Sequence, residues 1–160
     1  MLQLIGAAGI LSLAVYLSIA LSAMEARRVR QIEGLLLLLR HIRGEIACFR
    51  TPVAEIYATF ENAALAECGF LTVLRESGFS AALAAGRETL YLAEEELATL
   101  SAFAEGVGRS YSGEQVALCD YTERELEKAL AKRREEAPKR TRVLRTLSLV
   151  GGLMLVVLLF

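Results

Sequence analysis

Covalent catalysis needs a nucleophile with a base beside it and an acid to orient that base. This chain of 160 residues offers one histidine, His41, and one aspartate, Asp120, on segments that read as different helices. No serine or cysteine has a base at a recognisable spacing, so no catalytic residue is assigned and the chain is not expected to be an enzyme. The three cysteines, Cys48, Cys68 and Cys119, lie far apart without a CxxC or Cys/His pattern. Neither a zinc site nor a cofactor site is predicted, and the three are expected to be buried free thiols in a reducing cytosol. The glycine-rich run Gly106-Val107-Gly108-Arg109-Ser110-Tyr111-Ser112-Gly113 has the look of a phosphate loop. It follows a helical pattern rather than a strand and lacks the lysine of a P-loop, so it reads as a helix-to-helix turn with a serine cap.

What remains is charge. Between positions 45 and 128 stand 15 acidic and 6 basic residues, a net of −9, although the whole chain carries only −1. Nucleic-acid binding is excluded, since it needs a basic patch on the globular part. Glu94, Glu95 and Glu96 take three successive positions around one expected helix, so they cannot all be buried. The positions four residues on from each, Ala98, Thr99 and Leu100, hold no lysine or arginine to pair with them. These three glutamates form the candidate partner-binding site, where a basic partner surface would be steered in by complementary charge. The competing account is a solvated face that keeps the domain soluble.

The elements that position this surface begin at the ends of the chain. Residues 1–24 hold no charged side chain and suffice, at about 1.5 Å per residue, to cross a hydrocarbon core of roughly 30 Å as a helix. Arg27, Arg28 and Arg30 follow at once. The absence of a basic start, and the arginines after the run, argue against a cleaved secretory signal. Residues 146–160 are again uncharged, with Lys139, Arg140, Arg142 and Arg145 before them. Both basic flanks face the same middle segment, which predicts a hairpin with both termini outside and the middle in the cytoplasm. The expected organisation is an N-terminal transmembrane helix over 1–24, a cytoplasmic helical bundle over 25–145 and a C-terminal transmembrane segment over 146–160. That last run is short for a full span.

The middle is rich in alanine, leucine, glutamate and arginine and shows no sustained period-two pattern, so the fold class is all-α, a membrane-anchored helical bundle. Ile32, Leu35, Leu36, Leu39, Ile42, Ile46 and Phe49 recur at spacings of three and four, an apolar stripe on a helix over 27–49 that continues the first membrane helix. Thr51 and Pro52 start a second helix, expected to run to about 68 and to stop at Gly69. Short helices are expected on either side of Gly78, then a long one over 88–105. The last, from about 113, buries Val116, Cys119, Leu126, Ala129 and Leu130 and is kinked or ended by Pro138.

Several stretches together resemble the stage III sporulation protein AB family of endospore-forming bacteria. They are Met1-Leu2-Gln3-Leu4-Ile5-Gly6-Ala7, Gln31-Ile32, Glu45-Ile46 followed by Thr51-Pro52 and Glu55, Gly106 and Gly108 with Gln115, and Leu144-Arg145 with Leu149-Val150-Gly151-Gly152-Leu153. The resemblance implies a non-enzymatic component of a channel complex in the mother-cell membrane around the forespore. It also implies likeness to the helical domains of type II secretion F-type platform proteins, with a secretion-type ATPase and other channel subunits as partners. Self-association is left open. The other functional class compatible with the residues is a membrane-anchored adaptor that binds a cytosolic client.

Overall fold

In the computed structural model the backbone is described for residues 2–49, 51–109 and 112–159, and side chains for most residues from 22 to 135 with a few in the terminal runs. Among the described residues six α-helices follow in order: α1 Leu2–Cys48, α2 Val53–Thr59, α3 Ala63–Glu67, α4 Phe70–Ala85, α5 Glu94–Gly106 and α6 Ser112–Leu159, with a 3-10 turn Gly86–Glu88 before α5. No strand occurs among the described residues, so the fold is all-α. The chain divides into two units, Met1–Ala26 with Lys132–Phe160, and Arg27–Ala131.

The first unit consists of the opening of α1 and the end of α6. Its described large apolar side chains, Val15, Tyr16, Ile19, Met24 and Val150, are about half to two-thirds exposed, from 47% to 70%. Among the described residues no helix is long and apolar enough to cross a membrane. Most side chains of the two expected membrane segments, 1–24 and 146–160, lie outside the described residues.

The second unit is built on the apolar stripe of α1. Ile32, Leu35, Leu39 and Ile42 are fully buried, and they join one core with Phe70, Leu74 and Phe79 of α4, Leu100 and Phe103 of α5, and Cys119 and Leu126 of α6. Phe79 is the hub, with ring centroids 5.1 Å from Phe103 and 5.7 Å from Phe70, both edge to face. Such pairs add about 0.5–1.5 kcal/mol beyond the area they bury. Leu38 is buried but its neighbour Leu37 is half exposed, because one step around a helix is 100° and carries Leu37 off the core side.

Several boundaries differ from those the sequence predicts. The segment expected as one helix from Pro52 is two, because Phe60 is extended and Asn62 begins again as the N-cap of α3, its side chain accepting from the Leu65 N–H at 3.1 Å. Thr51 does not cap α2. Its hydroxyl donates instead to Glu45 Oε2 at 2.8 Å, tying the end of α1 to the turn that follows. Gly69 and Gly78 stand at the expected interruptions, with φ of 76° and 83°, a left-handed backbone that glycine alone adopts at no steric cost. Pro138 does not end α6, which continues to Leu159. An interior proline removes one backbone donor and crowds the carbonyl four residues earlier, a local penalty of about 3 kcal/mol, and the helical hydrogen bonds on either side carry α6 through it. The serine cap expected before α6 falls partly on Ser110, outside the described residues.

Candidate interaction surface on α4 and α5

The helix expected from residue 88 starts at Glu94, because residues 89 to 93 are irregular and are strapped onto α1. Gln31 makes the strap. Its Nε2 donates to the Thr89 carbonyl at 3.0 Å and its Oε1 accepts from the Tyr91 N–H at 3.0 Å, while Arg28 donates to the Tyr91 carbonyl. A side-chain amide satisfies a donor and an acceptor of the same irregular strip, which holds it against α1 just before α5 begins.

That start decides the fate of the three glutamates. Glu94 and Glu95 are exposed, whereas Glu96 is 6% exposed, and its Oε2 accepts from the Ala93 N–H at 2.7 Å. Ala93 has no side-chain acceptor to return the bond, so only the Glu96 half of a capping box forms. All three stand in the first turn of α5, where the exposed N–H groups and the helix dipole favour negative charge. Glu94 also pairs with Arg87 at 3.3 Å, a residue seven positions upstream and outside its own helix. The cluster read from sequence as three unpaired carboxylates is thus two exposed ones at a favourable helix end, plus an inward cap.

Beside Glu94 lies a groove of about 430 Å³ between the second half of α4 and α5. Leu83 and Leu97 are its larger apolar side chains, and Ala84, Ala98, Ser101 and Ala104 leave it shallow and smooth. Arg87 and Glu94 stand along one part of it and Glu105 along another. The spacing along α5 is regular: Glu94, Leu97 with Ala98, Ser101, then Ala104 with Glu105 repeat every three and four residues. The opposite face of the same helix carries Leu100 and Phe103 into the core. This second stripe was legible in the sequence as a 3.5-residue repeat of small residues, but it is overshadowed there by the leucine and phenylalanine pattern.

Other polar residues make contacts between helices. Arg43 Nε lies 2.8 Å from Asp120 Oδ1, and Arg40 reaches Glu123 and, at 2.5 Å, Glu127, so the single aspartate belongs to an ion ladder joining α1 to α6. Hydrogen bonds to Glu123 and then Glu127 raise the Arg40 guanidinium above its ordinary value. His41 stacks obliquely on Phe60 at 5.6 Å and sits 3.4 Å from Thr59 Oγ1, so His41 and Asp120 have separate partners. No group of three metal-ligating side chains occurs among the described residues. The expectation of three buried thiols holds only for Cys119, since Cys68 is half-buried and Cys48 is exposed at the last residue of α1. Burial, then the charge of Asp120, pushes the Cys119 thiol up to about 11.

The described residues form an all-helical protein whose polar side chains cap, strap and pair, with a grooved acidic face on α4 and α5. The family model for stage III sporulation protein AB matches residues 3–160, and the chain belongs to that family. Its role therefore falls in stage III of spore formation. No curated protein and no solved structure matches the chain.

Proposed function

We propose that this protein is a non-enzymatic, membrane-anchored platform subunit of a multi-subunit channel complex between mother cell and forespore, and that its helical bundle docks a secretion-type ATPase. The observation that carries the reading is the family match, which runs through both uncharged ends and the helical middle together. Two further features support it. Exposed Val15, Tyr16, Ile19 and Met24 cluster on one short length of α1, where lipid would cover them. Arg27, Arg28 and Arg30 at one end of the middle segment, and Lys139, Arg140, Arg142 and Arg145 at the other, suit anionic headgroups on a single membrane face. The docking surface in this reading is the exposed pair Glu94 and Glu95, with Glu96 holding the helix start that presents them.

A photo-crosslinking residue at Glu95, introduced in sporulating cells, tests the docking. Recovery of a hexameric ATPase together with membrane subunits is the expected result; recovery of a soluble client alone would replace the platform with an adaptor. The topology is tested by a cysteine at Gln3 in a chain without Cys48, Cys68 and Cys119. Labelling by an impermeant maleimide before the membrane is breached is expected, and labelling only afterwards would reverse the orientation.

A further inference from the structure

We propose that the groove between α4 and α5 is a helix-binding seam, and that its occupant is one amphipathic partner helix with small or leucine side chains on its inner face and lysine or arginine along its flanks. The inference rests on the docking reading above and adds the geometry and the partner's chemistry.

Both walls of the groove carry the spacing of a helix-packing face. On α4 the lining residues are Ser80, Leu83, Ala84 and, just beyond, Arg87; on α5 they are Glu94, Leu97, Ala98, Ser101, Ala104 and Glu105. Each set advances by three and four residues, the spacing with which a helix presents one seam to another. Gly78, at φ 83° and ψ 179°, breaks α4, so the part of α4 that forms this wall begins afresh at Phe79. Phe79 packs on Phe103 at 5.1 Å, which fixes that wall against α5. Both walls are therefore held from behind by the core, and the seam is preformed.

The small residues decide what can sit there. Ala84, Ala98 and Ser101 are exposed, and Leu97 and Ala104 are half-buried. A helix can approach closely over alanine and serine, and these side chains lose little rotamer freedom when covered. An extended peptide would leave its backbone N–H and C=O groups unmet, since helices offer no sheet edge to pair with, whereas a helix satisfies its own. The 13 residues of α5 span about 20 Å, so the footprint is three to four helical turns.

Charge selects the flanks. From Phe79 to Gly106 there are five glutamates and one arginine, a net of −4. Two of those glutamates, Glu94 and Glu105, line the groove itself, eleven positions apart on α5. Glu94 is already shared with Arg87 across an exposed 3.3 Å pair, which a competing basic side chain can replace at little cost. A helix with acidic flanks would meet Glu94, Glu95 and Glu105 against a single cation, Arg87, which Glu94 already shares.

The test uses the full chain in phosphatidylcholine nanodiscs and a fluorescent probe peptide of about 14 residues, helical, with leucine and alanine at a 3.5-residue repeat and lysine on both flanks. A second peptide carries glutamate in place of lysine, and empty nanodiscs supply the blank. The lysine peptide is expected to bind, at least about tenfold more tightly than the glutamate peptide, and to weaken as salt rises from about 50 to about 500 mM. The double variant Ala98→Leu, Ser101→Leu fills the groove at two exposed positions and should reduce affinity by about tenfold or more with an unchanged melting curve. Lysine-peptide binding that survives groove filling, or equal binding of the two peptides, overturns the proposal. The crosslink from Glu95 reads the docking separately: if it still captures the ATPase while the groove-filled variant binds as the parent does, the seam is wrong and the platform reading stands. If neither responds, both fall.

Discussion

Two glycines of α1 show how much a single methyl group can decide. A Cβ on Gly34 would lie 2.7 Å from Asn62 Oδ1 and 3.0 Å from Leu65, whereas one on Gly44 meets nothing within 4 Å. Asn62 Oδ1 is not free to move, because it caps α3 through the Leu65 N–H. Gly44→Ala should therefore raise stability by about 0.5–1 kcal/mol, the ordinary gain on replacing a helical glycine. Gly34→Ala should forfeit that gain through overpacking and a broken cap and end about 1–3 kcal/mol below Gly44→Ala. Denaturant midpoints of the two variants check this, and equal midpoints would mean that α3 is not seated on α1 at this point. The glutamates separate in the same way. Glu96→Ala removes the carboxylate that holds the Ala93 N–H and should cost about 0.5–2 kcal/mol, while Glu95→Ala, at an exposed position, should stay within about 0.5 kcal/mol of the parent.

At the scale of elements, the strap from Gln31 to residues 89 and 91 matters more than the propensity of α5. Gln31 is 6% exposed and makes two 3.0 Å hydrogen bonds to the main chain of a segment with no regular structure of its own. Gln31→Ala leaves a carbonyl and an N–H unmet and should cost about 1–3 kcal/mol. Amide exchange at Tyr91 should rise more than at Phe103, whose helix is held from the core side by Leu100 and Phe103 itself. Exchange that rises equally at both would show that the strap and α5 open as one unit. The ion ladder of Arg40 and Arg43 with Asp120, Glu123 and Glu127 is of another kind. Its arginines are about half exposed while Glu123, which both of them reach, is mostly buried, so each outer pair contributes little and the bonds at Glu123 more.

For the whole molecule, pH reports on the buried core. The folded state holds the Cys119 proton more tightly than the unfolded chain, moving the thiol from 9.0 to about 11 through burial first and the charge of Asp120 second. Burial raises the Tyr57 hydroxyl in the same direction. Folded-state values above unfolded ones mean that the stabilisation is complete below about pH 9 and is lost as pH rises toward 11. Stability should therefore fall across that window, and less steeply in Cys119→Ala. A slope that Cys119→Ala leaves unchanged would assign the alkaline loss to Tyr57 or to other groups. Cys48, exposed, should react with a maleimide far ahead of Cys119 at neutral pH.

The sequence by itself determined that the chain is helical, that the stripe from Ile32 to Ile46 is core, though not Phe49 at its end, which is exposed, that Gly69 and Gly78 interrupt helices, and to which family the chain belongs. Those are local properties: a period, a propensity, a φ that only glycine reaches, or an ordered set of short motifs. The division of one expected helix at Asn62, the late start of α5, the inward turn of Glu96, the pairing of Glu94 with Arg87 and the groove beside it were decided by tertiary structure. Each depends on a partner distant in sequence or on a side of a helix that local pattern leaves ambiguous. Gln31 reaches Thr89 and Tyr91 only because α1 and the strip before α5 pack together. A 3.5-residue repeat of alanine and serine becomes a surface only once Leu100 and Phe103 have claimed the other face of the same helix for the core.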